Sequence, residues 1–145
     1  MQKNAYKLTT INLWSEIMND TLSKVTTSKA PKPVGQYSQA VVCNNLVFIS
    51  GQLPFDPITN DFISDDIEEN TLQCLKNIQA IAEAAGTNID KTVKINIYLA
   101  DIENAQKVNK AYDKYFSEIV PARLMIQVAK LPKNADVEIE AIVNM

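Results

Sequence analysis

The chain has 145 residues, 46% of them hydrophobic, a formal charge of −3 and no histidine. That length fits one domain with its own hydrophobic core, and the charge disfavours a polyanion held on a basic face. Without histidine, Ser-His-Asp and Cys-His catalysis and His-ligated zinc are excluded, so any chemistry must come from carboxylates, Arg, Lys, Tyr, Ser or backbone groups.

Residues 1–23 differ in character from the rest of the chain. Leu8, Ile11, Trp14 and Met18 have a loose helical spacing, and the segment lacks the layout of a signal peptide. It contains no Arg, which weakens a transit-peptide reading. We take 1–23 as an N-terminal extension of open role and 24–145 as a single domain. The cytoplasm is the default compartment, with a mitochondrial location as the alternative. No apolar run reaches the length of a membrane-spanning helix.

From Lys24, "SKAPKPVGQYSQA" reads as an extended lead-in with proline and glycine. Two β-rich runs come next, Ala40–Cys43 and Leu46–Ser50, joined by Asn44-Asn45, which suits a tight hairpin because Asn tolerates the left-handed conformation. "LPFDPITNDFIS" is a turn-rich loop. A helix is predicted over 66–85, capped by Asp65, with Thr71, Cys74, Leu75, Ile78, Ile81, Ala82 and Ala85 on one face and Gly86 as its stop. "TVKINIYLA" alternates, so Val93, Ile95, Ile97 and Leu99 face one way and Thr92, Lys94, Asn96 and Tyr98 the other.

A second helix is predicted over 102–119 with Ala105, Val108, Tyr112, Tyr115 and Ile119 inward, and Pro121 bars its continuation. Two strands close the chain, over 122–128 and 137–143. The joints at both ends favour antiparallel pairs, and the first helix allows the strands it connects to be parallel neighbours. The expected architecture is α+β, a mixed sheet with two helices on one face. The other face must be solvated or meet another subunit. Cys43 and Cys74 lie far apart without metal-like spacing and are placed in the core as reduced thiols.

The last two strands carry charges. By parity Leu124, Ile126 and Val128 share one face, taken as the core side, while Arg123, Met125 and Gln127 share the other. Val137, Ile139, Ala141 and Val143 oppose Glu138, Glu140 and Ile142. Arg123 could form an exposed ion pair with a Glu, worth roughly 0–1 kcal/mol. Alternatively, Arg123 in a cleft presents a planar fork to a carboxylate or phosphate, and a nearby Glu accepts a proton from water. From periodicity alone the ion pair is the simpler account.

Four segments in order alter that weighting. "GQYSQA", "ISGQLPFDPIT", "VNKAYDKYF" and "PAR" followed by "VAKLPKNADVEIEAI" resemble the RidA (YjgF) family of enamine/imine deaminases, over about 24–143. The resemblance implies a chorismate-mutase-like α+β fold and a homotrimer with clefts between subunits. It implies hydrolysis of 2-iminopropanoate and 2-iminobutanoate to 2-oxo acids and ammonia, a form of metabolite damage control, without cofactor or metal. Carried over by residue, Arg123 clamps the substrate carboxylate and Glu138 holds the hydrolytic water. Tyr37, Ser50, Gly51 and Asn109 line the ligand site, and Met125 contributes a backbone N–H. Glu140 reads as structural, pairing across the trimer.

The departures are Gln36 for the usual Pro, Asn60 where a Gly often stands, and Met125 for a common Cys. The competing readings are a trimeric small-carboxylate binder without turnover, a ribonuclease or translation inhibitor, and a holdase. The acidic balance and missing histidine argue against RNA cleavage. No membrane partner is expected.

Overall fold

The computed structural model describes residues 21–116 and 118–145. The extension therefore lies, apart from its last three residues, outside the described residues. Six strands form one sheet: β1 Ser23–Val25, β2 Ala40–Cys43, β3 Leu46–Gln52, β4 Thr92–Leu99, β5 Ala122–Gln127 and β6 Val137–Asn144. Two α-helices, α1 Ile67–Ala84 and α2 Ala105–Asp113, cover one face of the sheet. The spatial order is β1-β2-β3-β6-β4-β5. The expected α+β architecture is the observed one.

The hairpin between β2 and β3 forms as the sequence predicts, with Asn44 and Asn45 at φ 47° and 64°. β1 is an additional short strand, antiparallel to β2 at the sheet edge. Two pairings differ from expectation. β6 does not pair with β5; it inserts between β3 and β4, antiparallel to both. The parallel pair is β4 with β5, which α2 connects. β6 alternates apolar residues on one side with Glu138, Glu140 and Ile142 on the other, and a central position covers the whole apolar set. Val137, Ile139, Ala141 and Val143 are all buried.

α1 follows its predicted bounds, but its cap is Asp66 rather than Asp65. Asp66 Oδ1 accepts the N–H groups of Glu68 and Glu69 at 2.8 and 3.1 Å, satisfying two of the unpaired first-turn donors. Gly86, at φ +91°, ends the helix in the conformation glycine tolerates. The second helix is shorter than predicted. Residues 102–104 form a 3₁₀ turn, α2 ends at Asp113, and Ile119 is 74% exposed rather than inward. Val108 and Tyr112 do face the core as expected.

The core lies between α1, α2 and the inner sheet face. It is built from Cys74, Leu75, Ile78, Ile81, Ile95, Ile97, Val137 and Ile139, all fully buried. Cys43, by contrast, is only half-buried. Strand parity fails in two places. At the start of β4 the register against β6 shifts between Thr92 and Lys94. This bulge reverses the first two side chains, so Thr92 is buried and Val93 is exposed.

β5 reverses over its whole length. Ile95 pairs with Arg123 and Ile97 with Met125, while Asn96 pairs with Leu124 and Tyr98 with Ile126. Paired residues share a face. Arg123 and Met125 therefore lie on the helix side, and Met125 packs against the core. Leu124 and Ile126, 41% and 38% exposed, lie on the bare face with the exposed ring of Phe48.

Candidate functional site

The predicted site residues separate into two clusters on opposite faces of the sheet. The first is centred on Arg123, on edge strand β5. Its Nη1 donates to Asn109 Oδ1 at 2.8 Å, and its Cζ lies 4.8 Å from the centroid of the Tyr112 ring. Asn109 and Tyr112 are three residues apart on α2, one helical face, so both reach the same guanidinium. Among the described residues no carboxylate pairs with Arg123; the only ion pair is Lys114 with Glu68, at 2.7 Å. The surface pair of Arg123 with Glu138 or Glu140 is ruled out within the chain, because the glutamates leave through the other face.

The second cluster surrounds Glu138. Its carboxylate lies directly over Gly51, where a Cβ would overlap Glu138 Oε1 and stand 2.9 Å from its Cδ. Glycine here lets the carboxylate approach the backbone closely and does not serve a turn. Burial pushes the Glu138 carboxyl above its usual range, and the neighbouring Glu140 charge adds to this. Glu140 is tied down within its own chain, accepting from Asn96 Nδ2 at 2.8 Å and from the Tyr98 hydroxyl at 2.9 Å. Both of these partners belong to the same chain. The Tyr98 hydroxyl is in turn held protonated by burial, by that bond and by the Glu140 charge.

Tyr37 and Gly51 line one small cleft with Gln39, Leu53 and Phe55. Tyr37 is 45% exposed, and its hydroxyl accepts the Val34 N–H at 3.2 Å. The buried Gln39 organises this lead-in. Its Oε1 accepts from the Thr27 N–H at 2.8 Å, and its Nε2 donates to the carbonyls of Thr27, Ala30 and Pro31. Ser50 is anchored to the same segment: its Oγ donates to the Ser38 carbonyl at 2.7 Å and its N–H to that of Gln39 at 3.0 Å. Ser50 also borders a bare-face hollow of about 270 Å³ with Phe48, Lys94, Asn96, Glu140 and Ile142.

Tyr37 and Glu138 therefore both approach Gly51, which follows Ser50 in the chain, and Asn109 and Arg123 are brought together beside Met125, the next inward residue of the Arg123 strand. The two groups are not brought together in one chain. Sequence reasoning missed three contributors: Gln39, Tyr112, and the pair Asn96–Tyr98. Only Tyr112 had a legible signal, its i, i+3 relation to Asn109. Asn60 adopts φ 59°, consistent with its replacing a glycine.

One consequence for the glycine is direct. Gly51→Ala is expected to displace the Glu138 carboxylate with little loss of stability, since the obstructed atoms end a flexible side chain. A thermal melt within a few degrees of wild type, combined with a reduced rate, would bear this out. An unchanged rate would show that the Glu138 position does not matter.

Fold and site together define a small α+β domain with a preset guanidinium on one sheet face and a partly desolvated carboxylate on the other. Comparison with known proteins gives the lineage. The family model described as Endoribonuclease L-PSP matches residues 27–145. A RutC family protein of Pyrococcus horikoshii is 47% identical over 116 residues, covering 80% of this chain and 92% of the relative. The human protein named 2-iminobutanoate/2-iminopropanoate deaminase is 42% identical over 118 residues, 81% of this chain and 86% of its own. The solved structure of a conserved Rid-family protein from Yersinia pestis superposes with a TM-score of 0.84 at 44% identity, covering 86% of this chain and all of that one. The chain belongs to the RidA/YjgF family. No helix among the described residues is long and apolar enough to cross a membrane.

Proposed function

We propose that this protein hydrolyses small 2-imino acids to 2-oxo acids and ammonia, in an active site completed by a second copy of the chain. The observation that carries the reading is the state of Arg123. It is exposed, held by Asn109 and Tyr112, and unpaired with any described carboxylate in a chain of net negative charge. A guanidinium has five N–H donors, and among the described residues only one of its nitrogens is engaged, by Asn109. The fork that remains suits a substrate carboxylate.

With the carboxylate on Arg123, the imine carbon is fixed in position. Water attacks that carbon, forming a C–O bond, while Glu138 takes the water proton. That proton passes to the nitrogen as the C=N π bond opens, giving a carbinolamine. Glu138 then carries the hydroxyl proton to the amine while the C=O bond forms and the C–N bond breaks, so that ammonia leaves with the 2-oxo acid. The raised pKa of Glu138 makes it a better acceptor than an exposed carboxylate. Positioning and one base suffice for an electrophile as reactive as an imine. Tyr37, Ser50 and Gly51 wall the Glu138 side, while Asn109 and the Met125 backbone N–H complete the Arg123 side. No cofactor or metal enters the scheme.

Because Arg123 and Glu138 leave opposite faces of one sheet, the site needs Arg123 of one copy beside Glu138 of another. A homotrimer meets this requirement. The bare-face apolar set of Phe48, Leu124 and Ile126 supports the same arrangement, since it gains by being covered. The name of the human relative supports the substrate class.

The test couples the protein to a threonine dehydratase and follows 2-oxobutanoate release, alongside sedimentation to fix the oligomeric state. Accelerated release by a trimer is the expected result. No acceleration, with 2-oxobutanoate still bound, would leave a carboxylate binder instead. A monomer active at full rate would overturn the shared site.

A further inference from the structure

We propose that Tyr112 is a positioning residue, its buried ring serving as the platform that holds the Arg123 guanidinium in place for a substrate carboxylate. The proposal rests on the reading of Arg123 as that clamp. Arg123 stands on an edge strand and is exposed, so its long side chain would otherwise sample many rotamers. Asn109 supplies one hydrogen bond, which fixes one nitrogen and leaves the plane free to swing. The ring of Tyr112, 4.8 Å from Arg123 Cζ, supplies the second restraint through its π face.

The platform is itself rigid. Tyr112 is 1% exposed, and its ring packs against Phe116 with centroids 4.7 Å apart. Its hydroxyl is buried and has no hydrogen-bond partner among the described residues. Hydrogen bonding therefore does not explain a tyrosine here, and the aromatic face is what the structure uses. The guanidinium charge acts back on the phenol, opposing the upward push that burial gives its pKa. The ring and charge thus sense one another, and the N–H groups not bound to Asn109 remain available to a ligand.

Two readouts separate this role from ordinary packing. The first is 2-oxobutanoate binding by calorimetry. Tyr112→Phe, which keeps the face, should bind within about 2-fold of wild type, whereas Tyr112→Leu should bind about 5- to 30-fold more weakly, the upper part of the range of a cation–π contact. In the coupled assay the loss should appear mainly in KM. In an Arg123→Ala background, Tyr112→Leu should cause no further weakening, because its effect passes through Arg123. An equal loss in that background would show general packing and overturn the proposal. A Tyr112→Phe loss as large as that of Leu would assign the effect to the hydroxyl and overturn it too.

Should Tyr112→Leu not fold, pentafluorophenylalanine at position 112 preserves the shape and reverses the quadrupole, and the same weakening is expected of it. The second readout needs no ligand. The Arg123 side-chain NMR signals should carry a ring-current shift in wild type and in Tyr112→Phe, and should lose it in Tyr112→Leu. Absence of any such shift in wild type overturns the platform. A normal shift without 2-oxobutanoate binding would instead overturn the carboxylate-clamp reading and leave the platform standing.

Discussion

Arg123→Ala is expected to lower kcat/KM for 2-imino acids by about 10²–10⁴-fold, from two charge-assisted hydrogen bonds of roughly 1.5–3 kcal/mol each. The loss should be carried largely by KM, because the clamp holds the carboxylate in ground state and transition state alike. Folding should be little affected. Arg123 is exposed, forms no ion pair among the described residues and is held there by Asn109 and Tyr112. Arg123→Lys should recover only part of the loss, since an ammonium lacks the planar fork. Steady-state kinetics in the dehydratase-coupled assay measure both variants. Full activity in Arg123→Ala would remove the clamp from the mechanism.

Glu138→Gln is expected to reduce kcat by about 10²–10⁴-fold, the usual contribution of a positioned general base. The effect should fall on kcat rather than KM, because glutamine keeps the shape and leaves Arg123 in place. The pH dependence adds an independent check. The Glu138 carboxyl is raised above its ordinary 4.5, first by burial and then by the Glu140 charge. The wild-type rate should therefore fall as pH drops through this raised value, as the base becomes protonated. Stability should move the other way. A carboxyl with a higher pKa when folded contributes stability that is fully present below its unfolded value and is lost as pH rises through the folded one. Glu138→Gln should flatten both profiles across that window, as read by kcat and by thermal melting. A glutamine variant with the wild-type rate and profile would end the base role.

The two glutamates of β6 look equivalent in sequence and are not equivalent in the fold. Glu140 is occupied by Asn96 and Tyr98, whereas Glu138 has the backbone of Gly51 beneath it. A carboxylate that already accepts two hydrogen bonds is held in place, and its charge acts on its neighbour. The less engaged carboxylate, its pKa pushed upward first by burial and then by that charge, is the one suited to accept a proton. Spacing cannot make this distinction: Asn96 lies opposite Glu140, whereas Tyr98 lies opposite Glu138 and its hydroxyl reaches diagonally to Glu140.

Much of the framework was legible from residues alone. The alternation in β6 separated buried apolar residues from glutamates correctly, because one side of that strand is wholly apolar. The helical face of α1 and the Asn-Asn hairpin were legible for the same reason: each is set by contacts within a few residues. The absence of histidine restricted the chemistry, and four ordered segments pointed to the family. What local pattern could not decide was the orientation of β5, where both sides contain apolar residues and the strand lies at an edge. Its pairing with β4 set Arg123 on the helix side and Leu124 and Ile126 on the bare side. Likewise the insertion of β6 between β3 and β4, the bulge at Thr92 and the Tyr112 platform all depend on contacts between distant segments. The sequence by itself thus determined which groups can do chemistry. The tertiary structure alone decided that Arg123 and Glu138 face apart, because a strand's two sides are interchangeable until a neighbouring strand sets their register.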